Sequence, residues 1–513
     1  MPLFCTAANK GAHNKTGEVF VIDNVTLILS YTMRQFTFSH ISASLLSGCF
    51  LFACLFSSCS DDEQFTADKT ATLEFSQDTI SFDTVFANIT TPTERLYVYN
   101  NHSKGVRIAN VKLETGGTSG FLINVDGQNG TTINDIQVLK KDSIFVFIKL
   151  NAPLQASTKP QNISDAIIFT LESGVQQRVE IEACSMNADK LKGKVLEGNH
   201  IFTSDDTPRI IYDSLVVDEN ASLCVKEGTT LYFHNGASLI VRGELKLEGT
   251  LKRPVTIRGD RLDNMFDYLP YDRLENQWGG ILLQPTCKGC TINHADIHSG
   301  NFGIICDSIE GKLDITNSVI HNVAGYGLYL KDSDALVANT QISNAKQDCV
   351  SIYGGASTFY HCTIAQFYPW DADRGNGLYV SNYINEDEHL ITSADFYNCF
   401  ITGYANDEVY GNPGEQELNL NFYNCVLLTD VSDETYFHDC TAESEELSTY
   451  KTSNFKTLDT HAYYYDFRLD SLSTAREKGS SAYSTLYPTD MLGVVRGEKP
   501  DAGCYQWQQE ASR

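Results

Sequence analysis

The sequence predicts an all-β chain, a parallel β-helix preceded by a β-sandwich. Three observations predict it. Six short segments repeat one pattern of an Asn or His, one or two small or polar residues, and an aliphatic end. They begin at His294, Asn317, Asn339, His361, Asn398 and Asn424 and end at Ile297, Ile320, Ile342, Ile364, Ile401 and Leu427. Successive ends lie 23, 22, 22, 37 and 26 residues apart, a near-constant coil length with one large insertion. A fixed period in this range marks a stacked array whose units bury apolar faces only against their neighbours. Second, the residues between alternate in period two, as in Gly327-Leu328-Tyr329-Leu330 and Gly377-Leu378-Tyr379-Val380, which is the pattern of half-buried strands. Third, the stretch before the array has short alternating strands and turns but no repeat.

The elements follow in chain order. Ser44 to Phe56 is apolar and uncharged, too short to span a membrane and of signal-peptide length. The small residues before Cys59 resemble a bacterial lipobox, with Phe56 where Leu is more usual. The resemblance implies that residues 1–58 are a leader and that Cys59 is the lipidated mature N-terminus. Met33 stands just before Arg34 and is the expected true start. The run Ser60-Asp61-Asp62-Glu63 resembles the surface-export signal of Bacteroidetes lipoproteins, which implies an outer-membrane, cell-surface location with the lipid as the membrane contact. Residues 59–70 form the tether.

Residues 71–185 carry about seven short strands, among them Ile80 to Phe86, Arg95 to Asn100 and Ile144 to Ile148. That count and length fit an immunoglobulin-like sandwich. The stretch resembles the Ig-like modules that follow the anchor in Bacteroidetes surface proteins, which implies a spacer.

Residues 193–475 form the β-helix. Its opening strands, Ser222 to Thr229 and Glu244 to Thr250, and the segment Gln277-Trp278-Gly279-Gly280-Ile281 resemble right-handed β-helices of the pectin-lyase-like fold. Residues 476–513 end in Pro500-Asp501-Ala502-Gly503-Cys504-Tyr505. This resembles the Pro-Asp-Ile-Gly-Ala-Tyr ending of bacterial β-helix surface proteins, and an open solenoid end needs a cap.

Net charge is −27, and removing residues 1–58 takes away three basic and two acidic residues. Such a balance excludes nucleic acid as a partner and disfavours an unassisted polyanionic substrate. Eleven cysteines follow Cys59 without a disulfide framework, and Cys287-Lys288-Gly289-Cys290 is read as a structural or locally bridged pair. No catalytic residue and no metal-ligand set is read from the sequence. Gln347-Asp348-Cys349 resembles the Asp-Asp-Cys segment of polygalacturonase-like hydrolases but lacks its first carboxylate, so Asp348 is read as a turn residue. Asp332, Asp334, Asp371 and Asp373 could offer oxygen to Ca²⁺, and no other cofactor is expected.

The candidate glycan site is the inserted coil, with Tyr368, Trp370, Asp371, Asp373, Arg374 and Tyr383. Aromatic faces stack on sugar rings while polar groups take hydroxyls. The loop Met265 to Arg273 is the second candidate. The expected function is a surface lipoprotein whose β-helix binds extracellular polysaccharide. The alternatives are a polysaccharide lyase or glycoside hydrolase on this fold, and a structural or adhesive surface protein.

Overall fold

The computed structural model describes residues 63–157, 159–443 and 454–509. Cys59, Ser60, Asp61 and Asp62 lie outside the described residues. Glu63 lies inside them, and its carboxylate accepts the Lys140 amide at 2.7 Å.

The N-terminal part is two sheets facing each other. One has six strands, including Thr79–Phe86, Gly105–Leu113, Gln161–Leu171 and Gln176–Met186. The other has five, including Glu94–Tyr99, Phe121–Val125 and Ser143–Leu150. Alternation puts Ile144, Val146, Ile148 and Leu150 inside, against Leu96, Phe121 and Phe169. The first strand, Phe65–Thr66, pairs with Gly105 and Val106, so the sheet begins within the stretch expected to be tether. The Phe65 ring lies against Gly105 and under Arg107, 4.4 Å from its guanidinium, which gives this short strand its hold. Asp165 is buried and takes hydrogen bonds from Thr115 N (3.0 Å), Ala166 N (2.8 Å), Thr115 Oγ1 and Ser119 Oγ.

From Asp189 to Ala442 the chain forms one parallel sheet of 26 strands. Typically each strand pairs with the third one after it, which winds the sheet into coils with three faces. The first strand, Asp189–Leu196, starts slightly before the boundary expected at 193. Face one carries Thr230–Phe233, Val255–Gly259, Ala295–His298, Val319–Val323, Gln341–Ala345, Thr363–Gln366 and Phe400–Gly403. Face two carries Ser238–Val241, Gly280–Leu283, Ile304–Asp307, the first part of Leu328–Ala338 and of Val350–Tyr360, Leu378–Ser381 and Val409–Asn412. The remaining parts of the two long strands belong to face three.

Ile297, Ile320, Ile342, Ile364 and Ile401 stack in one interior column, in register and fully buried. The recurring Asn or His before each of them has positive φ: 48° at His294, 50° at Asn317, 47° at Asn339, 49° at His361, 53° at Asn398 and 52° at Asn424. That left-handed bend turns face three into face one, and Asn tolerates it because its amide finds local partners. Here the amides bond along the stack, Asn317 to Asn293 at 3.0 Å and Asn339 to Asn317 at 3.2 Å. Cys362, Cys399 and Cys425 sit beside the bends as buried free thiols, and Cys287 and Cys290 are also free.

The tail differs from the expected end cap. Residues 454–509 run along the flank of the solenoid. Phe455, Phe467, Ala502, Cys504 and Tyr505 cover Ala365, Phe367, Phe400 and Val426. Arg496 donates to Asn339 Oδ1 and Gly503 O at 3.0 Å, Cys504 N to Thr363 Oγ1 at 3.0 Å, and Tyr505 Oη to Gln341 Oε1 at 2.6 Å. The physical reason is that Phe400 and Val426 point outward from face one, and apolar surface there must be removed from water.

Candidate functional site

Face two carries a row of outward side chains in one register: Ile305, Tyr329, Ser351, Tyr379 and Tyr410. Tyr353, in the neighbouring row, leans over the small Ser351 and closes the gap. Ring centroids step from Tyr326 to Tyr329 (5.1 Å), to Tyr353 (5.2 Å), to Tyr379 (5.7 Å) and to Tyr410 (5.3 Å). The five rings are half-buried and form a stripe along the solenoid axis. Burial pushes the Tyr329 phenol up to about 12 and raises Tyr326, Tyr353 and Tyr379, so the hydroxyls stay neutral donors and acceptors. The ion pair of Asp307 with Lys331 (3.1 Å) and the hydrogen bond of His389 with Asp332 (2.7 Å) lie beside it.

The sandwich and the tail cover parts of the other faces. On face one, Tyr232 packs on Phe86 of the sandwich at 5.0 Å, and the tail covers the distal coils. On face three, Tyr483 packs on Tyr397 (4.6 Å) and Tyr487 on Tyr360 (5.4 Å), leaving a groove of about 540 Å³ beside Lys312 and Asp334. Among the described residues, no ring contact or hydrogen bond from the sandwich or the tail reaches the stripe.

The inserted coil does not assemble as one site. Residues 367–377 precede the strand Leu378–Ser381 and Tyr383 follows it, so the strand separates the two groups. Tyr368 is only 1 % exposed and is hydrogen-bonded to Glu275, which removes it as a stacking platform. Trp370 stacks on Tyr463 of the tail at 5.3 Å and meets Tyr368 edge-on at 5.1 Å. Arg374 lies over Tyr404 at 4.8 Å and donates to Asp371 O at 3.2 Å. Asp371 pairs with Lys346 at 3.0 Å, and Asp373 is exposed. Tyr383 donates to Glu388 at 3.2 Å. Trp370 fastens the insertion to the tail, while Tyr368, Asp371 and Arg374 tie it to the coils. The second loop meets the same tail, since Tyr268 packs on His461 at 5.0 Å and Arg273 donates to Ala462 O at 2.9 Å. Asp348 behaves as read. It is buried and accepts from Ser351 Oγ (2.7 Å) and Asn376 N (2.8 Å). The four carboxylates considered for Ca²⁺ are dispersed, Asp332 being held by His389 and Asp371 by Lys346.

The tyrosine stripe escaped the sequence reading, although Tyr329 and Tyr379 stand in the very strands quoted for their alternation. The inward positions of that alternation specify the core, and its outward positions carry the tyrosines. A second cluster also escaped it. On face one, Asp296 Oδ1 lies 2.8 Å from His298 Nδ1 and 3.2 Å from His321 Nε2. Asp272, on the loop after Val255–Gly259, takes His298 Nε2 at 2.7 Å and Arg258 at 2.8 Å. Burial opposes a charged imidazole, but Asp296 and Asp272 overcome it and push His298 up to about 9. His298 and His321, against the effect of burial, hold Asp296 well below the usual carboxylate range. His298 and His321 are register partners, 23 residues apart in the chain, and such a pair reads as a site only once the coil register is known.

No family model matches the chain, and no curated protein matches it. Similar solved structures include a family 123 glycoside hydrolase from Clostridium perfringens that hydrolyses glycolipid glycans (11 % identity, TM-score 0.17). The match covers 22 % of this chain and 26 % of that one, so the chain spans about a quarter of that protein's length. A PapD-like domain of human CEP192 matches at 12 % identity and TM-score 0.16, over 23 % of this chain and 88 % of that one. The periplasmic chaperone SfaE matches at 12 % identity and TM-score 0.17, over 27 % of this chain and 71 % of that one.

Proposed function

We propose that this chain is a surface-displayed lipoprotein whose right-handed β-helix binds a neutral extracellular glycan laid along the tyrosine stripe. One observation carries the reading: five tyrosines at near-constant spacing form a stripe that, among the described residues, no ring contact or hydrogen bond from the sandwich or the tail reaches. Stacked strands repeat about every 4.8 Å, so each coil offers one further ring to an extended polymer. Flat aromatic faces take sugar rings, and the neutral phenols take hydroxyls. The net charge of −27 favours an uncharged polymer over a polyanion. In this reading Cys59 carries the lipid, Ser60 to Glu63 direct export, and the sandwich is an Ig-like spacer.

The test is a titration of the full chain with a panel of neutral plant, algal and host glycans, with product analysis in parallel. Retention of a glycan without cleavage is expected. Tyr329→Ala with Tyr379→Ala should weaken it at least tenfold, on the scale of ~1.5 kcal/mol for uncovering an aromatic side chain. Equal retention by the double variant would remove the stripe from the function, and new chain ends in the product would replace binding with hydrolysis or lysis. Separately, a Cys59→Ala chain that still partitions with membranes would refute the anchor.

A further inference from the structure

The Asp-His cluster on face one is independent of the glycan reading. Asp296 projects from the strand Ala295–His298 and His321 from Val319–Val323, one coil above. Donor atoms of Asp296, His298 and His321 all lie within 4.8 Å of one another. Two of the separations, 2.8 and 3.2 Å, match an edge of a coordination polyhedron. An ion with bonds of about 2.0–2.1 Å to nitrogen has neighbouring ligands roughly 2.8–3.4 Å apart. The surroundings also fit. A metal-bound histidine usually gives its other ring N–H to a carboxylate, which fixes the tautomer and raises basicity. His298 Nδ1 faces Asp296, and its Nε2 donates to Asp272, itself held by Arg258. The histidine is thus oriented from behind by a second carboxylate, and both histidines sit on a rigid sheet.

We propose that Asp296, His298 Nδ1 and His321 Nε2 form a binding site for a divalent transition-metal ion, with Asp272 positioning His298. Two imidazoles and one carboxylate select Zn²⁺-like ions over Ca²⁺ or Mg²⁺, which prefer oxygen alone. Three protein ligands leave coordination positions open to water or a ligand. The side chains of Asp296 and His321, 39 % and 25 % exposed, leave a path for them. On binding, the ion takes the place of the proton that His298 Nδ1 shares with Asp296, which leaves to solvent, and His321 frees Nε2 by carrying its hydrogen on Nδ1 instead. Without the ion, the same groups form the hydrogen-bonded chain described above, which pins the loop carrying Asp272.

The experiment titrates the chelator-treated full chain with Co²⁺, followed by visible absorption, and then with Zn²⁺ in competition. The expected result is one equivalent of Co²⁺ with a ligand-field spectrum, displaced by one equivalent of Zn²⁺. His321→Ala, at the more exposed of the two histidines, should abolish the spectrum while circular dichroism stays unchanged. Asp272→Asn should keep the stoichiometry and weaken affinity by about 10–100-fold, as loss of an orienting partner does. No saturable Co²⁺ binding, or the same spectrum and affinity in His321→Ala, would overturn the proposal and leave the cluster as a loop fastening.

Discussion

Replacing Ile342 tests the coil register most directly. Its side chain is fully buried, pairs in register with Ile320 below and Ile364 above, and lies where a Cβ on Gly327 would come within 2.8 Å. There is no slack for a polar group. Ile342→Ala removes buried carbon and leaves a cavity, at a cost of about 2–5 kcal/mol. Ile342→Asp adds the desolvation of a carboxyl with no partner, several kcal/mol more, and the group will protonate rather than stay charged. Each coil contacts only its neighbours, so the loss should be local. Denaturant unfolding gives the magnitude, and hydrogen exchange gives the place. Protection should fall in the strands holding Ile320 and Ile364 and persist in the sandwich core around Phe169. If Ile342→Asp unfolds like the parent, or if protection falls evenly in sandwich and solenoid, the column does not exist as described.

Other outcomes follow from the same contacts. Trp370→Ala should lower stability by roughly 1–3 kcal/mol, because the ring is packed between Tyr463 and Tyr368, while glycan affinity stays unchanged; a thermal melt beside a binding titration checks both. Asp165→Asn should cost about 1–3 kcal/mol at pH 7, since the buried carboxylate accepts four hydrogen bonds. Although burial alone would raise it, hydrogen bonds from Ser119 and Thr115 set the folded pKa of Asp165 below its ordinary value. Its contribution is therefore present above the unfolded value of about 3.9 and lost as pH falls through the lower folded value, so urea midpoints of parent and variant should draw together as pH is lowered past the unfolded value. Arg496→Met should loosen the tail from Asn339 and make residues 480–505 sensitive to protease before the coils are.

The solenoid was legible because its constraint is periodic. One left-handed bend per coil demands Asn or His, and one interior position demands an aliphatic, so Asn317 and Ile320 announce themselves. The sites were not legible for the converse reason. Tyr329 and Tyr379 fall in one row only after the chain has turned two coils and been interrupted by an insertion, with Tyr353 between their rings. Asp272 reaches His298 from a loop 26 residues earlier. Trp370 and Tyr368 carry the composition of a sugar site, but composition does not distinguish a ring offered to solvent from one turned onto Tyr463. The tail motif was recognisable, yet whether it closes an end or a flank depends on the outward Phe400 and Val426, which alternation alone would have flagged as exposed.

The flank strap gives this molecule two folding regimes in one chain. Coil contacts join residues about one period apart and can form by local zipping. Tail contacts join residues far apart, such as Cys504 with Thr363 at 141 positions and Tyr505 with Gln341 at 164. Closing loops of that length is entropically costly and slow, so strap docking should be a late kinetic step after the coils have formed. Until it occurs, Phe400 and Val426 are open to other chains. A chain shortened before Phe455 would remain in that adhesive intermediate, with intact coils and poor solubility.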